Sequence, residues 1–232
     1  NKLINLAPKR AIVIKDGKQI GMNKKQQFLN VTCEILNEEG VAGVSIRRLA
    51  KEVGCTSTVI YRYFDNVEHL IIMASVRYLE RYIADFKRYT KEIRNPLELK
   101  LTLWERFVTY ALEKVDVFEM LFFGKYKESL VDIIYEYYEL FSEKFENMDG
   151  LLVSVVFNGN IRERDYIMYR RAASMGYIEL DAAEKLSYMD AYMFHGLLME
   201  YKFCKLEKEE IEMNAKKFTD IIRSVVEKFR IR

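Results

Sequence analysis

Residues 54–70 read GCTSTVIYRYFDNVEHL, a glycine followed by small hydroxyl residues and two tyrosines, in a chain otherwise built of helix formers. Gly54 supplies a sharp backbone turn, Cys55 is small enough to pack beneath it, and Thr56 is placed to cap a new helix with Ile60 and Phe64 inward. Upstream, Ser45 stands at an N-cap position ahead of Ile46, Leu49 and Ala50 on an inward face, with Arg47, Arg48 and Lys51 elsewhere. The pattern is helix, short turn, helix, which in DNA-binding proteins places the second helix in the major groove. Thr56, Ser57 and Thr58 let the backbone approach phosphates and base edges closely. Tyr61, Arg62 and Tyr63 flank the inward residues and offer donors to phosphates, contacts that position a protein without reading sequence.

Outward from that motif, Asn23 with Gln26 forms a capping box for a helix running to about Asn37, with Phe28, Val31, Thr32, Ile35 and Leu36 at helical spacing. Asp65 with Glu68 predicts a second capping box and a long fourth helix reaching about Thr90. Residues 1–22 carry Lys2, Lys9, Arg10, Lys15 and Lys18 against Asp16, and IVIKDGKQI reads either as a marginal hairpin or as part of a basic arm. The charge supports a division along the chain. Residues 1–66 hold 11 Lys and Arg against 6 Asp and Glu, a net of +5, whereas residues 67–232 hold 26 against 29, a net of −3. A basic head on an acidic body suits a nucleic-acid partner.

The 232 residues are half hydrophobic, with only 2 prolines and 10 glycines, so long helices joined by short loops are expected and the class is all-α. No run is long and apolar enough to span a membrane, and the N-terminus lacks a signal-like core; the expectation is a cytoplasmic protein without membrane contact. Cys33, Cys55 and Cys204 are odd in number and widely spaced, which suits reduced thiols. Gly-rich phosphate loops, paired histidines at metal spacing, Cys-x-x-Cys and nucleophile elbows are missing from the sequence, so it predicts neither an enzyme nor a metal or cofactor.

Beyond residue 66 the chain reads as a helical bundle. Asn95 and Pro96 open a helix through Leu99, Leu103, Phe107 and Ala111. Further helices fit 116–124, 126–146, 161–176, a segment capped by Asp181 and Glu184 and reaching about Lys205, and 208–229. The β-rich LLVSVVF within 147–160 is either an extended insert or part of a helix.

The stretch from about Lys24 to Leu70, with Gly40, SIRRLAKEVG and TSTVIYRYF, resembles the N-terminal domain of the TetR family of bacterial transcription regulators. That resemblance implies a three-helix DNA-binding domain over 23–66, preceded by the extension 1–22 and followed by a ligand-binding and dimerisation domain over 67–232. It implies that Ser45, Arg47, Thr56, Ser57, Thr58, Val59, Tyr61 and Tyr63 face DNA, and Arg48, Arg62 and His69 complete the candidate set. The family usually has a lysine at the position of Val67, where it meets a phosphate; His69 lies nearby as a substitute donor.

The resemblance further implies a homodimer on a palindromic operator and an inducer pocket among the middle helices. Candidate pocket residues are Trp104, Tyr110, Phe118, Phe122, Tyr138, Phe141, Tyr166, Tyr169 and Tyr192, a lining for a hydrophobic or aromatic small molecule. Candidate dimer residues are Tyr188, Tyr192, His195 and Met199 on the penultimate helix and Phe218, Ile222 and Val225 on the last. The expected function is a ligand-responsive regulator, a repressor in the usual case. The alternative is a protein of this fold that acts by protein contact, as a co-activator or division factor, with weak or no DNA binding.

Overall fold

The computed structural model describes residues 23–141 and 150–231, and the backbone of residues 13–15 and 18–20. Most of the 1–22 extension and the end of the expected 126–146 helix lie outside the described residues. Strands β1 (Val13–Lys15) and β2 (Lys18–Ile20) pair antiparallel, with Ile14 opposite Gln19. All other described elements are helical.

Two compact units divide at Ala74 and Ser75. In the first, α1 (Lys24–Glu39) opens with the Asn23–Gln26 capping box, and α2 (Ile46–Val53) opens on Ser45, whose side chain accepts from Arg48 N–H. Two positive-φ glycines shape the joints. Gly40 ends α1 at φ 70° and ψ −167°, a region open to glycine alone, and Gly54 ends α2 in the left-handed helical region at φ 69° and ψ 50°. The latter bend lets Cys55 N–H donate to Ala50 O at 2.9 Å and releases the chain into α3 (Ser57–Ile60).

Helix α3 is one turn long, and Tyr61–Tyr63 follow it in tighter turns, with Tyr63 N–H reaching Ile60 O. Phe28, Leu36, Leu49, Ile60, Phe64 and Leu70 are fully buried, so α1 to α4 (Val67–Ser75) share one apolar centre. Helix α4 is capped one residue later than the sequence suggests. Asn66 Oδ1, not an Asp65 carboxylate, accepts His69 N–H at 3.0 Å, while Asp65 N–H donates to His69 Nδ1.

The second unit opens with a 3-10 turn at Val76–Tyr78, so the expected long fourth helix is α4, a tightened turn and α5 (Leu79–Glu92). Helix α6 (Pro96–Glu113) is capped by Asn95, which accepts from Leu97 and Glu98 N–H with proline at the first turn. Its residues are buried on nearly every side: α6 packs against α5, α10 (Ile161–Ser174) and α12 (Lys208–Val226), and α10 packs along α11 (Leu180–Tyr201). A bidentate Arg223–Glu98 pair at 2.5 and 2.8 Å clips α12 to α6. Trp104, Phe107, Phe194 and Phe218 meet at ring separations of 5.3–5.8 Å, the aromatic heart of the unit.

Shorter helices α7 (Val115–Phe123), α8 (Leu130–Phe141) and α9 (Gly150–Val156) complete it. LLVSVV (151–156) is therefore helical, burying Leu152, Val155 and Val156, and Phe157 follows in a turn. Helix α11 begins at Leu180, with Glu179 rather than Asp181 at the cap position. Just before it, Ile178 pairs with Arg230 and Ile231 N–H donates to Tyr177 O, which sets the entry of the chain. No described helix is long and apolar enough to cross a membrane.

Candidate functional site

In the first unit the residues around the α2–α3 turn form an exposed polar surface. Ser45, Arg47, Thr56, Thr58, Tyr61 and Arg62 are exposed, and Ser57, Val59 and Tyr63 half-exposed, so every residue expected to face DNA around the Gly54 bend is accessible. Tyr61 is 57% exposed, which leaves its hydroxyl open to a partner outside the chain. Tyr63 leans inward onto Phe28, with ring centroids 6.2 Å apart.

Two candidates are occupied internally. Arg48 makes a bidentate pair with Glu39 at 2.6 and 2.7 Å and a third bond to Gly43 O, and the bonds to Arg48 hold the Glu39 carboxyl below the usual carboxylate range. Arg48 thus fastens α2 to the end of α1. His69 accepts from Asp65 N–H and meets Phe64 edge-on, so its ring is taken up at the α3–α4 joint. Val67 is half-exposed and apolar.

In the second unit the feature that sequence reasoning missed is a buried charge cluster. Lys100 Nζ lies 2.5 Å from Asp190 Oδ2 and 3.1 Å from Asp165 Oδ1. Trp104 Nε1–H donates to Asp165 Oδ1, and Tyr169 O–H donates to Asp190 Oδ2. Beside it the Arg164 guanidinium packs 4.9 Å from the Phe122 ring and donates through Nε to Val155 O and through Nη2 to Val156 O, the C-terminal carbonyls of α9, where a cation is favoured. All four charged side chains are at most 4% exposed. Arg164 Nη1, Asp165 Oδ2 and Asp190 Oδ1 are buried without a hydrogen-bond partner.

Burial dominates the titration of this cluster. It pushes the Asp165 carboxyl well above its ordinary range despite the Lys100 ammonium, with Asp190 pushing the same way. It lowers Arg164 to about 10 and raises the Tyr82 hydroxyl to about 12. Burial, with the Asp190 charge second, raises Tyr169 as well. A small cavity of about 30 Å³ adjoins the cluster, lined by Lys100, Arg164 and Asp165 and by the rings of Tyr82, Trp104 and Phe107.

Of the nine residues expected at a pocket, Trp104 lines this cavity, Phe122 backs the Arg164 guanidinium and Tyr169 holds Asp190. Tyr110 instead bonds Asp85 and Arg106, Phe118 packs on Phe107, Tyr138 sits near Phe157, Phe141 packs on Tyr137, and Tyr166 lies under Arg170. Tyr192 is 70% exposed and, with Phe122, Tyr188 and His195, borders a separate open groove. Among residues expected at a dimer face, Tyr188, Tyr192 and Met199 are exposed, and His195 stacks on Phe123 at 4.0 Å. Phe218 and Ile222 are instead buried in the unit's own core, and Val225 is half-buried. The outward apolar residues of α12 are Met213 and Ile221.

Residues 28–73 match the family described as "Bacterial regulatory proteins, tetR family". HTH-type transcriptional regulator SAR2658 of Staphylococcus aureus (strain MRSA252) is 23% identical over 133 residues, 55% of this chain and 70% of that protein. Among solved structures, Thermus thermophilus FadR, a TetR-family transcriptional repressor in complex with lauroyl-CoA, superposes with a TM-score of 0.56 at 12% identity, covering 86% of this chain and 93% of its own. RolR in complex with resorcinol also reaches 0.56, at 10% identity over 87% and 92% of the two chains. At such identities the structural likeness is one of fold.

Proposed function

The chain belongs to the TetR family, and from that membership we propose that it is a ligand-responsive transcriptional repressor, binding a palindromic DNA operator as a homodimer and released by a small molecule held in its second unit. The observation that carries the DNA reading is the exposed group Arg47, Thr56, Thr58, Tyr61 and Arg62 around the Gly54 bend. It offers guanidinium and phenol donors for phosphates beside short hydroxyl side chains for base edges. Arg48 serves the domain's own rigidity.

Exposed Tyr192, Met199, Met213 and Ile221 on α11 and α12 support self-association, since apolar side chains of this size are seldom left to water in number. A twofold pair of heads would read a palindrome. The cavity beside Lys100, Arg164 and Asp165 supports an effector site, and proteins of the same fold hold small molecules, lauroyl-CoA in one and resorcinol in another. An effector needs to favour the DNA-free state by about 3 kcal/mol to weaken operator binding roughly a hundredfold.

The test is selection from random duplex DNA by the purified protein at moderate salt. A palindromic consensus is expected. Failure of the folded, effector-stripped protein to enrich any sequence would overturn the DNA reading in favour of action by protein contact, to which Val67 at the usual lysine position would then belong.

A further inference from the structure

The chemistry of the effector can be narrowed from the charges around the cavity. Lys100 faces two carboxyls, and its 2.5 Å pair with Asp190 is further satisfied by the Tyr169 hydroxyl. Asp165, the second carboxyl, lies 3.1 Å from the same ammonium. Arg164 stands outside these pairs. Its guanidinium is 4% exposed, lies among the rings of Phe122 and Phe107 at 4.9 and 5.6 Å, and bonds only backbone carbonyls. No acidic side chain pairs with it among the described residues, and its Nη1 has no partner.

A guanidinium buried in apolar surroundings without a counter-anion is an expensive arrangement that an anion would relieve. The cavity wall holds Arg164 together with Lys100 and Asp165, whose own charges face each other. The unused Nη1 donor of a buried guanidinium suits the oxygen of a carboxylate, with which it makes a charge-assisted hydrogen bond. The rest of the lining is apolar and aromatic, with Trp104 and Phe107 prominent.

We infer that this cavity binds a small apolar monocarboxylate, whose carboxylate accepts from Arg164 Nη1 and whose hydrocarbon part lies against Trp104 and Phe107. The inference rests on the reading of the second unit as an effector domain and gives that effector its class. A cationic ligand is disfavoured by Arg164, and a neutral one leaves the charge uncompensated.

The decisive comparison uses the full chain, with thermal melting and titration against benzoate and hexanoate, their amides, acetate and chloride. Benzoate or hexanoate is expected to raise the melting temperature and to bind about tenfold or more tightly than its amide, the usual margin of a charge-assisted hydrogen bond. Arg164→Gln is expected to erase that margin, and Arg164→Lys to keep part of it. Because Arg164 also holds the end of α9, the carboxylate-against-amide comparison on the unaltered chain decides even if those variants unfold. Amides binding as well as carboxylates, or no stabilisation by any carboxylate, overturns the inference. Equal effects of chloride or acetate overturn the hydrocarbon half of it.

The same ligands are added to the protein on its selected operator. Carboxylates that bind but do not release DNA uphold this site and overturn the effector reading. Release by the amides alone does the reverse.

Discussion

Lys100 Nζ and Asp190 Oδ2, ninety residues apart in sequence, meet at 2.5 Å with both side chains almost wholly removed from solvent. Removing one partner leaves an uncompensated charge inside. Lys100→Met is expected to destabilise the second unit by about 3 kcal/mol or more. The double variant Lys100→Met/Asp190→Asn should lose clearly less than the sum of the two single changes. Urea unfolding followed on Trp104, the single tryptophan of the chain, measures both; additive losses would contradict the pairing.

Asp165 carries a pH signature. Its folded pKa is raised by burial, so the folded state holds a proton that the unfolded state releases, and stability falls as pH rises from the ordinary carboxylate range toward the raised value. Asp85 and Glu98 act with the opposite sign, each lowered by its hydrogen-bonding partners, and their contribution is complete above pH about 5. Above that point the wild type should lose stability with rising pH, and Asp165→Asn should flatten the slope. Parallel slopes in the two proteins would refute the assignment.

At the DNA surface, Tyr61→Phe should weaken binding to every duplex alike, by about 1 kcal/mol for one lost phosphate hydrogen bond. Thr58→Ala should instead change the ranking of operator variants. Fluorescence anisotropy on an operator and its single-base variants distinguishes them. A Tyr61→Phe loss confined to one base pair would assign that hydroxyl to a base.

The two bends differ in what they tolerate. Gly54 occupies the left-handed helical region, and no heavy atom lies within 4 Å of the place a Cβ would take, so Gly54→Ala should cost about 1 kcal/mol. Gly40, at φ 70° and ψ −167°, sits where other residues scarcely go, and Gly40→Ala should cost more, about 2 kcal/mol. Thermal unfolding of the first unit, monitored by circular dichroism, ranks them; the reverse order would count against these backbone conformations.

Self-association is tested on the outward face of α12. Ile221→Glu should shift the protein toward monomer in sedimentation velocity and lower its affinity for a two-half-site operator, because Ile221 is 43% exposed and has little burial of its own to lose. An unchanged dimer would place the interface elsewhere.

Much of this architecture was legible because caps are local. Asn23 with Gln26, Ser45, and Asn95 before Pro96 each mark a helix start that the structure keeps. Where two capping residues adjoin, as Asp65 and Asn66 do, sequence alone left the cap one residue early. On α12 two apolar stripes compete, and the one holding Phe218 and Ile222 turns inward because Trp104 and its neighbours on α6 receive it, a tertiary fact with no local mark.

The charge cluster was half visible. Lys100 falls four residues before Trp104, Asp165 lies between Ile161 and Tyr169 at steps of four, and Asp190 does the same between Leu186 and Phe194. Each charge therefore sits on an apolar stripe, the place where a partner is required, but which charges meet depends on how three helices pack.

Arg164 has five N–H donors, and two of its nitrogens are already committed to the final carbonyls of α9. Its guanidinium plane is consequently fixed before any visitor arrives, and the entropy of immobilising a long side chain is lost once, on folding, instead of at each encounter. Such a pre-organised receptor discriminates by shape as well as by charge, so that two carboxylates of equal acidity but different tilt should differ in residence time.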